Sequence, residues 1–313
     1  MFDTREEALK YGLTFEDTYQ KLLEKGPRFV SPYFIPMMIP NMAAGTIAIR
    51  YGMRGPALPA VSACASGTNA IGEALRAVRH GYCDVMVTGG TEAALTRSSV
   101  AGFIKMQALN MTDDVAHASL PFHKDRGGFV IGEGAGAMVI ESEEHALARG
   151  AKIYAELCGY GSTCDAHHMT APDPEAKAGS AAIRDAWVEG GSPDASTIYV
   201  NAHGTGTPLN DKSETIALKK VFGDDAYKLI ISSTKSMTGH MLGGTGAVEG
   251  IASILAIKEG MIPPTIGLDV PDPECDLDYT PLTARKADVD FALSTSLGFG
   301  GHNACIAFKK YEG

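Results

Sequence analysis

The sequence predicts an α/β protein assembled in layers from two related halves. Two observations carry that reading. Short apolar runs alternate with amphipathic helical stretches through most of the 313 residues, the pattern of strands and helices sharing a sheet. A strand–turn–helix unit also occurs twice, around Cys64 in LPAVSACASGTNAIGEAL and around Lys235 and His240 in LIISSTKSMTGHMLGGTGAVEG. Two further strands follow the unit in each half.

Taken in order, TFEDTYQKLLEKG (residues 14–26) predicts a helix, and a Pro/Met-rich stretch, VSPYFIPMMIPNMAAG, follows it. ALPAVSACASG predicts a strand and turn, TNAIGEALRAVRHG a helix, and CDVMVTGGTEA and GAGAMVIES two strands. The boundary falls near the helix EEHALARG, giving halves of residues 1–148 and 149–313. The second half opens on a strand, AKIYAELCGYG, and a helix, SAAIRDAWVEGG. Next come the strand TIYVNAHG, a helix from Asp211, the strand LIISSTKS and the helix GAVEGIASILAIKEG. FALSTSLGFGG and NACIAFKK close the half as two strands around a glycine turn. Such alternation predicts a largely parallel sheet. The two opening strands of the second half have no counterpart in the first, which therefore reads as incomplete.

Composition narrows the class. With 45% hydrophobic and 20% charged residues the chain matches an ordinary soluble globular protein. No apolar run of about 18 residues predicts a membrane span, and MFDTREEALKYG lacks the apolar core of a secretory signal. Cys64, Cys83, Cys158, Cys164, Cys275 and Cys305 are scattered without CxxC spacing. Reduced thiols in the cytoplasm are expected, with neither a disulfide framework nor a zinc site. A net charge of −10 argues against nucleic acid as a partner.

The chemistry gathers on three loops. A buried cysteine is usually a small hydrophobe, but Cys64 lies among Ala63, Ala65, Ser66 and Gly67 at a strand-to-helix turn. A substrate can approach closely there, and the helix N-terminus favours the thiolate. His203 in NAHGTGTPLND and His240 in SSTKSMTGHMLGG sit on comparable strand-to-glycine turns. A nucleophile and two histidines on loops that end strands is the set covalent acyl chemistry requires. Thr205 and Thr207, on alternate positions after His203, offer hydroxyls to an extended amide-bearing ligand; plain turn chemistry is the alternative. The glycine-rich turn after His240 has neither GxxxxGK[ST] nor GxGxxG, which excludes nucleotide binding. His167 and His168 are adjacent on a loop, so their side chains diverge and form no metal pair. That loop is expected to cover a cleft entrance.

SACASGTNAIG, KDRGGFVIGEGAG, VNAHGTGTPLNDKSE, SSTKSMTGH and SLGFGGHNA, in this order, resemble the β-ketoacyl-ACP synthases of the synthase II type, a thiolase-fold family. The resemblance runs over nearly the whole chain. It implies that Cys64 takes an acyl group as a thioester, with the N–H groups of Cys64 and Phe299 as oxyanion hole. His203 and His240, as neutral imidazoles, would contact a malonyl thioester carbonyl. Lys235 and Glu214 resemble the family's supporting polar pair, and Phe299 its gating aromatic. Phe103 would line the acyl pocket, and Thr205 and Thr207 would bind pantetheine amides. No cofactor is implied beyond a structural K+ or Na+, at Asn201, Glu249 and the backbone of Ser294 and Thr295.

The resemblance also marks departures. About a hundred N-terminal residues of the family pattern are lacking, with two strands from the middle of its sheet. Unpaired backbone groups on the Cys64 and CDVMVTGG strands would cost roughly 1–3 kcal/mol each if buried. KDRGGFVIGEGAG, with Asp125 and Glu133, reads as a structural tie around the site. Arg28 matches a basic carrier-docking position, whereas Phe29 and Gln107 replace basic residues; Lys105, Lys124 and Arg126 could compensate. Against the acidic total, docking of an acyl carrier protein is expected to be weak. The resulting expectation is a decarboxylating Claisen condensation in fatty-acid or polyketide elongation by a homodimer. The alternative is a non-catalytic or truncated subunit pairing with a full-length homologue, against which the intact Cys64, His203, Lys235 and His240 weigh. A papain-like thiol hydrolase lacks its local cysteine signature here.

Overall fold

The computed structural model describes residues 23, 24, 26 and 31–313, so the helix expected over residues 14–26 lies almost wholly outside the described residues. The chain divides into two compact units, residues 1–59 and 60–313. In the first, the Pro/Met-rich stretch forms α1 (Phe34–Met38) and α2 (Met42–Tyr51), neither of which buries a residue.

The second unit runs α3 (Ser66–Arg79), β1 (Val85–Glu92), α4 (Arg97–Lys105), β2 (Gly134–Glu141), α5 (Glu143–Ala148), β3 (Glu156–Cys164) and α6 (Lys177–Glu189). It continues with β4 (Ile198–Asn201), α7 (Pro208–Phe222), β5 (Ile230–Ser232), α8 (Lys235–Thr238), α9 (Thr245–Glu259), β6 (Met261–Ile262), β7 (Arg285–Lys286), β8 (Phe291–Gly298) and β9 (His302–Lys309). A five-stranded sheet has the order β3-β9-β8-β4-β5, while β1, among the described residues, pairs only with β2. The large sheet is mixed, where a largely parallel one was expected. β4 is parallel to β5 and β8, but β9 runs antiparallel to β8 and β3. Gly300 and Gly301, at φ 86 and 76, turn the chain back after β8 and set that reversal.

Side chains alternate across the sheet and build a core on each face. Phe291 and Leu293 of β8 join Val200, Ile231, Leu218 and Ile183 on one face. Ala292 joins Tyr199, Ile306, Phe308, Ile71 and Ile257 on the other. Each large apolar side chain so buried contributes about 1.5–3 kcal/mol. α3 is helical because Ile71, Ala74 and Leu75 recur at helical spacing and face this core, with Glu73, Arg76 and Arg79 outward. It passes α9 at small residues: a Cβ on Gly67 would lie 2.9 Å from the Gly243 carbonyl oxygen and 3.0 Å from the Ala247 nitrogen. α9 is held between layers, since a Cβ on Gly250 would meet Met138 of β2 and Ile306 and Phe308 of β9. α7 begins at Pro208, three residues before the expected start, because proline at the first helical position needs no N–H acceptor.

The strand expected before Cys64 does not form. Residues 56–61 carry no strand pairing, and Leu58 and Val61 are 83% and 68% exposed. A strand needs a neighbour to take its hydrogen bonds, and none stands beside this segment among the described residues. The segment faces water instead, so the cost expected for unpaired buried groups does not arise along residues 56–61. Among the described residues no helix is long and apolar enough to cross a membrane.

Candidate active site

Cys64 sits on a cross-braced turn. Ala63 takes φ 49, a left-handed conformation costing on the order of 1–2 kcal/mol for a non-glycine residue. Ser66 Oγ closes the turn, accepting the Ser62 N–H at 2.9 Å and donating to the Ala63 carbonyl at 2.7 Å. Asn69 Nδ2 donates to Ser62 Oγ at 2.6 Å. The turn is wedged between the end of β8 and the loop after His240. A Cβ on Gly298 would fall 2.6 Å from the Ser62 carbonyl oxygen and 3.3 Å from the Cys64 nitrogen. One on Gly243 would fall 3.6 Å from Ser66 Cβ.

Burial pushes the Cys64 thiol up to about 11, against the opposing pull of the Lys235 ammonium and the N–H groups of Phe299 and Cys64. The expectation that the helix N-terminus would favour the thiolate is therefore corrected: desolvation wins. Cys64 rests as a thiol at neutral pH.

Both histidines are buried and clamped through their backbones. The His203 N–H donates to Glu214 Oε1 at 2.7 Å and Thr295 Oγ1 at 3.0 Å, and the Gly204 N–H donates to Glu214 Oε2 at 2.8 Å. His240 donates its N–H to the Val130 carbonyl at 2.7 Å and accepts the Gly132 N–H at 2.9 Å. The two rings lie edge to face, 5.2 Å between centroids. Burial, then Lys235 and the neighbouring His240, hold His203 well below the ordinary imidazole value. Burial and Lys235 do the same for His240. Two neutral imidazoles thus face one another.

Lys235 acts on all three groups, lowering Cys64, His203 and His240 alike. Its ammonium pairs with Glu249 Oε1 at 2.6 Å, both side chains fully buried. The expected Lys235–Glu214 pairing is thus corrected: Glu214 grips the His203–Gly204 backbone, and Glu249 of α9 neutralises Lys235. The partner lies fourteen residues on, in α9, and nothing in residue type or spacing set it above Glu214. Burial raises Glu249 to about 7 despite Lys235.

Two models match the chain: "Beta-ketoacyl synthase, N-terminal domain" over residues 7–146 and "Beta-ketoacyl synthase, C-terminal domain" over residues 154–269. The 3-oxoacyl-[acyl-carrier-protein] synthase 2 of Synechocystis sp. is 55% identical over 298 residues, covering 95% of this chain and 72% of that one. The corresponding synthase of Staphylococcus aureus is 53% identical over 299 residues, covering 96% and 72%. The chain belongs to the β-ketoacyl synthase family. Solved structures agree on a thiolase-like α/β fold. A type II PKS acyl-carrier protein in complex with its ketosynthase superposes at TM-score 0.89 and 35% identity, covering 95% and 74%. A β-ketoacyl synthase from Burkholderia phymatum superposes at 0.85 and 36%, covering 94% and 72%.

The synthase's other expected residues fall around this centre. Phe299, half-buried between Gly298 and Gly300, directs its N–H at Cys64. Thr205 and Thr207 share a hydrogen bond, Oγ1 to Oγ1, of 2.9 Å. Phe103 packs on Phe129 at 5.4 Å, and Phe129 on His240 at 5.1 Å, so the two phenylalanines continue the line of the imidazoles. Phe129 was missed by sequence reasoning; the signal was an aromatic between glycines in RGGFVIG. His168 Nδ1 accepts the N–H groups of Thr170 and Ala171, a turn brace, and the same loop meets the Phe299 turn where the Gly300 N–H donates to Met169 at 2.8 Å. Arg126 is buried, which corrects its reading as a docking residue; Lys105, Lys124 and Gln107 are exposed, and Arg28 and Phe29 lie outside the described residues.

The four cation candidates are contiguous. Asn201 registers against Ser294 across β4–β8, and the Thr234 hydroxyl reaches both Asn201 Oδ1 and Glu249 Oε1. Asn201 Nδ2, Glu249 Oε2 and Ser294 Oγ are buried without hydrogen-bond partners. Glu249 Oε2 and Ser294 Oγ are oxygens left unspent, as a hard monovalent cation requires, whereas the unspent Asn201 atom is an amide nitrogen and only its Oδ1, already reached by Thr234, could serve as a ligand. The Thr295 hydroxyl is engaged with Glu214 at 2.5 Å, leaving only its backbone for that role.

Proposed function

We propose that the protein is an acyltransferase that elongates an acyl chain by decarboxylating Claisen condensation with malonyl-ACP, giving 3-oxoacyl-ACP in fatty-acid or polyketide synthesis. The observation that carries this reading is the buried His203–His240 pair, its rings 5.2 Å apart edge to face, with the Cys64 turn wedged against the loop after His240 at Gly243. Acyl transfer joins the Cys64 sulfur to the acyl carbonyl and releases the carrier thiol, which takes the proton of the Cys64 thiol. The N–H groups of Cys64 and Phe299 hold the carbonyl oxygen of the tetrahedral intermediate. Malonyl-ACP then loses carbon dioxide, and the electron pair passes to its thioester oxygen as an enolate. His203 and His240 donate hydrogen bonds to that oxygen, which neutral rings do without surrendering a proton. The enolate carbon attacks the Cys64 thioester, and the cysteine sulfur leaves as a thiolate that takes up one proton from water to restore the resting thiol.

His203→Ala and His240→Ala should each cut malonyl-ACP decarboxylation by about 10²–10³-fold, the worth of one such donor, and leave acylation of Cys64 in place. Decarboxylation at the unaltered rate in both variants would overturn the assignment. Asn201, Glu249 and the 294–295 backbone would hold a monovalent cation supplying positive charge behind the site. We place the protein in the cytoplasm, where its six free thiols stay reduced, and expect residues 1–148 and 149–313 to be its two halves. An acyl carrier protein and a dimer partner complete the assembly. The exposed Leu58 and Val61 favour one further reading, a subunit whose 56–61 segment is covered by a related chain. Size measured alone and with a full-length homologue separates a self-sufficient dimer from that arrangement.

A further inference from the structure

Three loops around the site, residues 119–129, 203–211 and 269–272, are joined by one buried guanidinium. Arg126 Nη1 donates to the His123 carbonyl at 2.9 Å and to Asp272, Nη2 to the Pro208 carbonyl at 3.1 Å, and Nε toward the Thr207 carbonyl at 3.4 Å. Asp211, wholly buried, lies 3.5 Å from Nε. Its carboxylate accepts the Phe122 N–H at 2.8 Å and the Gly206 N–H at 3.2 Å. The Gly206 carbonyl in turn accepts the Gly128 N–H at 3.0 Å. Three of the backbone groups so gripped, the Gly206 N–H and the Thr207 and Pro208 carbonyls, belong to or adjoin the Thr205–Thr207 pair.

A buried ion pair is a costly way to join loops, since apolar packing of equal volume often serves as well or better. Its advantage is geometry, because the guanidinium fork fixes several acceptors at once in a plane. What it fixes here is a pair of hydroxyls two and four residues beyond His203. One of the two donates to the other at 2.9 Å, leaving one hydroxyl hydrogen and several lone pairs for a ligand. A donor beside acceptors matches an amide, which offers a carbonyl and an N–H.

We infer that Arg126, with Asp211, is a positioning residue that holds the Thr205–Thr207 hydroxyls in register for the amide arm of an incoming thioester. It touches neither substrate nor the reacting atoms. The inference rests on the condensing reading above and extends it to recognition of the arm. A lysine at 126 keeps the charge and loses the fork, so the loop should loosen without vacating the charge beside Asp211.

The test compares two malonyl thioesters, one of pantetheine and one of a short alkyl thiol without amides, on wild type and Arg126→Lys. The KM for the pantetheine thioester should rise about tenfold, the worth of a lost polar contact set, while kcat and KM for the alkyl thioester stay within about twofold. An equal loss with both thioesters would make Arg126 a general structural tie, and no change with either would remove it from recognition; both overturn the inference. Should Arg126→Lys not fold, Asp272→Asn, which removes one outer anchor and spares Asp211, should raise the pantetheine KM alone, about threefold. Equal effects on the two thioesters in that variant also overturn it. If wild type turns over neither thioester, the condensing reading fails, and calorimetric binding of malonyl-pantetheine decides the inference separately. Weaker binding to Arg126→Lys sustains it; equal binding, or none to wild type, overturns it.

Discussion

Within residues 60–313, the stretch up to residue 148 and the stretch from residue 149 hold their parts of the site by unequal means. In the second half β8 is buried along Phe291–Ser296, and every strand of the five-stranded sheet finds partners. His203 and Lys235 follow β4 and β5 of that sheet, so packing fixes them. Before residue 149, among the described residues, β1 and β2 pair only with each other, Val139 is 58% exposed, and the segment entering Cys64 has no strand partner. Cys64 is nevertheless buried, because its turn leans on the second half. Gly298 and Gly243 touch the turn, and Thr68 of α3 shares a hydrogen bond with Ser296 of β8 at 2.7 Å. The nucleophile's turn is braced from within by Ser66 and Asn69 and held in place from residues 243, 296 and 298.

The largest expected effect concerns how dry that borrowed position is. With the thiol raised to about 11 by burial, thiolate grows with pH throughout the neutral and alkaline range. Alkylation of Cys64 by iodoacetamide should climb about tenfold per pH unit toward pH 11, whereas an ordinary exposed thiol levels off near about 8.5. A plateau near 8.5 would show the turn to be solvated. Next comes the ion pair on the rigid side. Lys235→Met leaves Glu249 buried without its cation and should lower stability by about 3–5 kcal/mol in chemical denaturation. An unchanged midpoint would mean the pair does not anchor the second half.

Two glycine-to-alanine substitutions sharpen the contrast further. Gly298→Ala drives a methyl into the Ser62 carbonyl and should cost about 1–3 kcal/mol, with altered labelling of Cys64 although the substitution lies in β8. Gly179→Ala, in α6, meets nothing nearer than 3.8 Å and should stabilise by up to about 1 kcal/mol through helix propensity. Equal effects at the two positions would deny that the Cys64 turn is held from β8.

Much of this architecture was legible in the residues. The periodicity of TNAIGEALRAVRHG, the apolar runs of β1 and β2, and the strand–helix alternation of the second half all mark elements that form. Their signals are local, set by which face each side chain presents. ALPAVSACASG carries the same apolar signal and forms no strand, because strandhood also depends on a partner. The site divides likewise. Cys64, His203, Lys235 and His240 stand out by residue type and by glycine-rich turns. The partner of Lys235, the burial of Arg126 and the protonated state of Cys64 do not, since each depends on what three-dimensional packing brings near. Phe129 lies between, an aromatic in a motif read as structural that turns out to rest on the His240 ring.

The most direct test follows the sulfur itself. Intact-mass and peptide mass spectrometry after incubation with acyl-ACP should find one acyl group on Cys64 of the folded protein and none in Cys64→Ala. A folded sample that stays unmodified, or an adduct that persists undiminished in Cys64→Ala, would contradict the account.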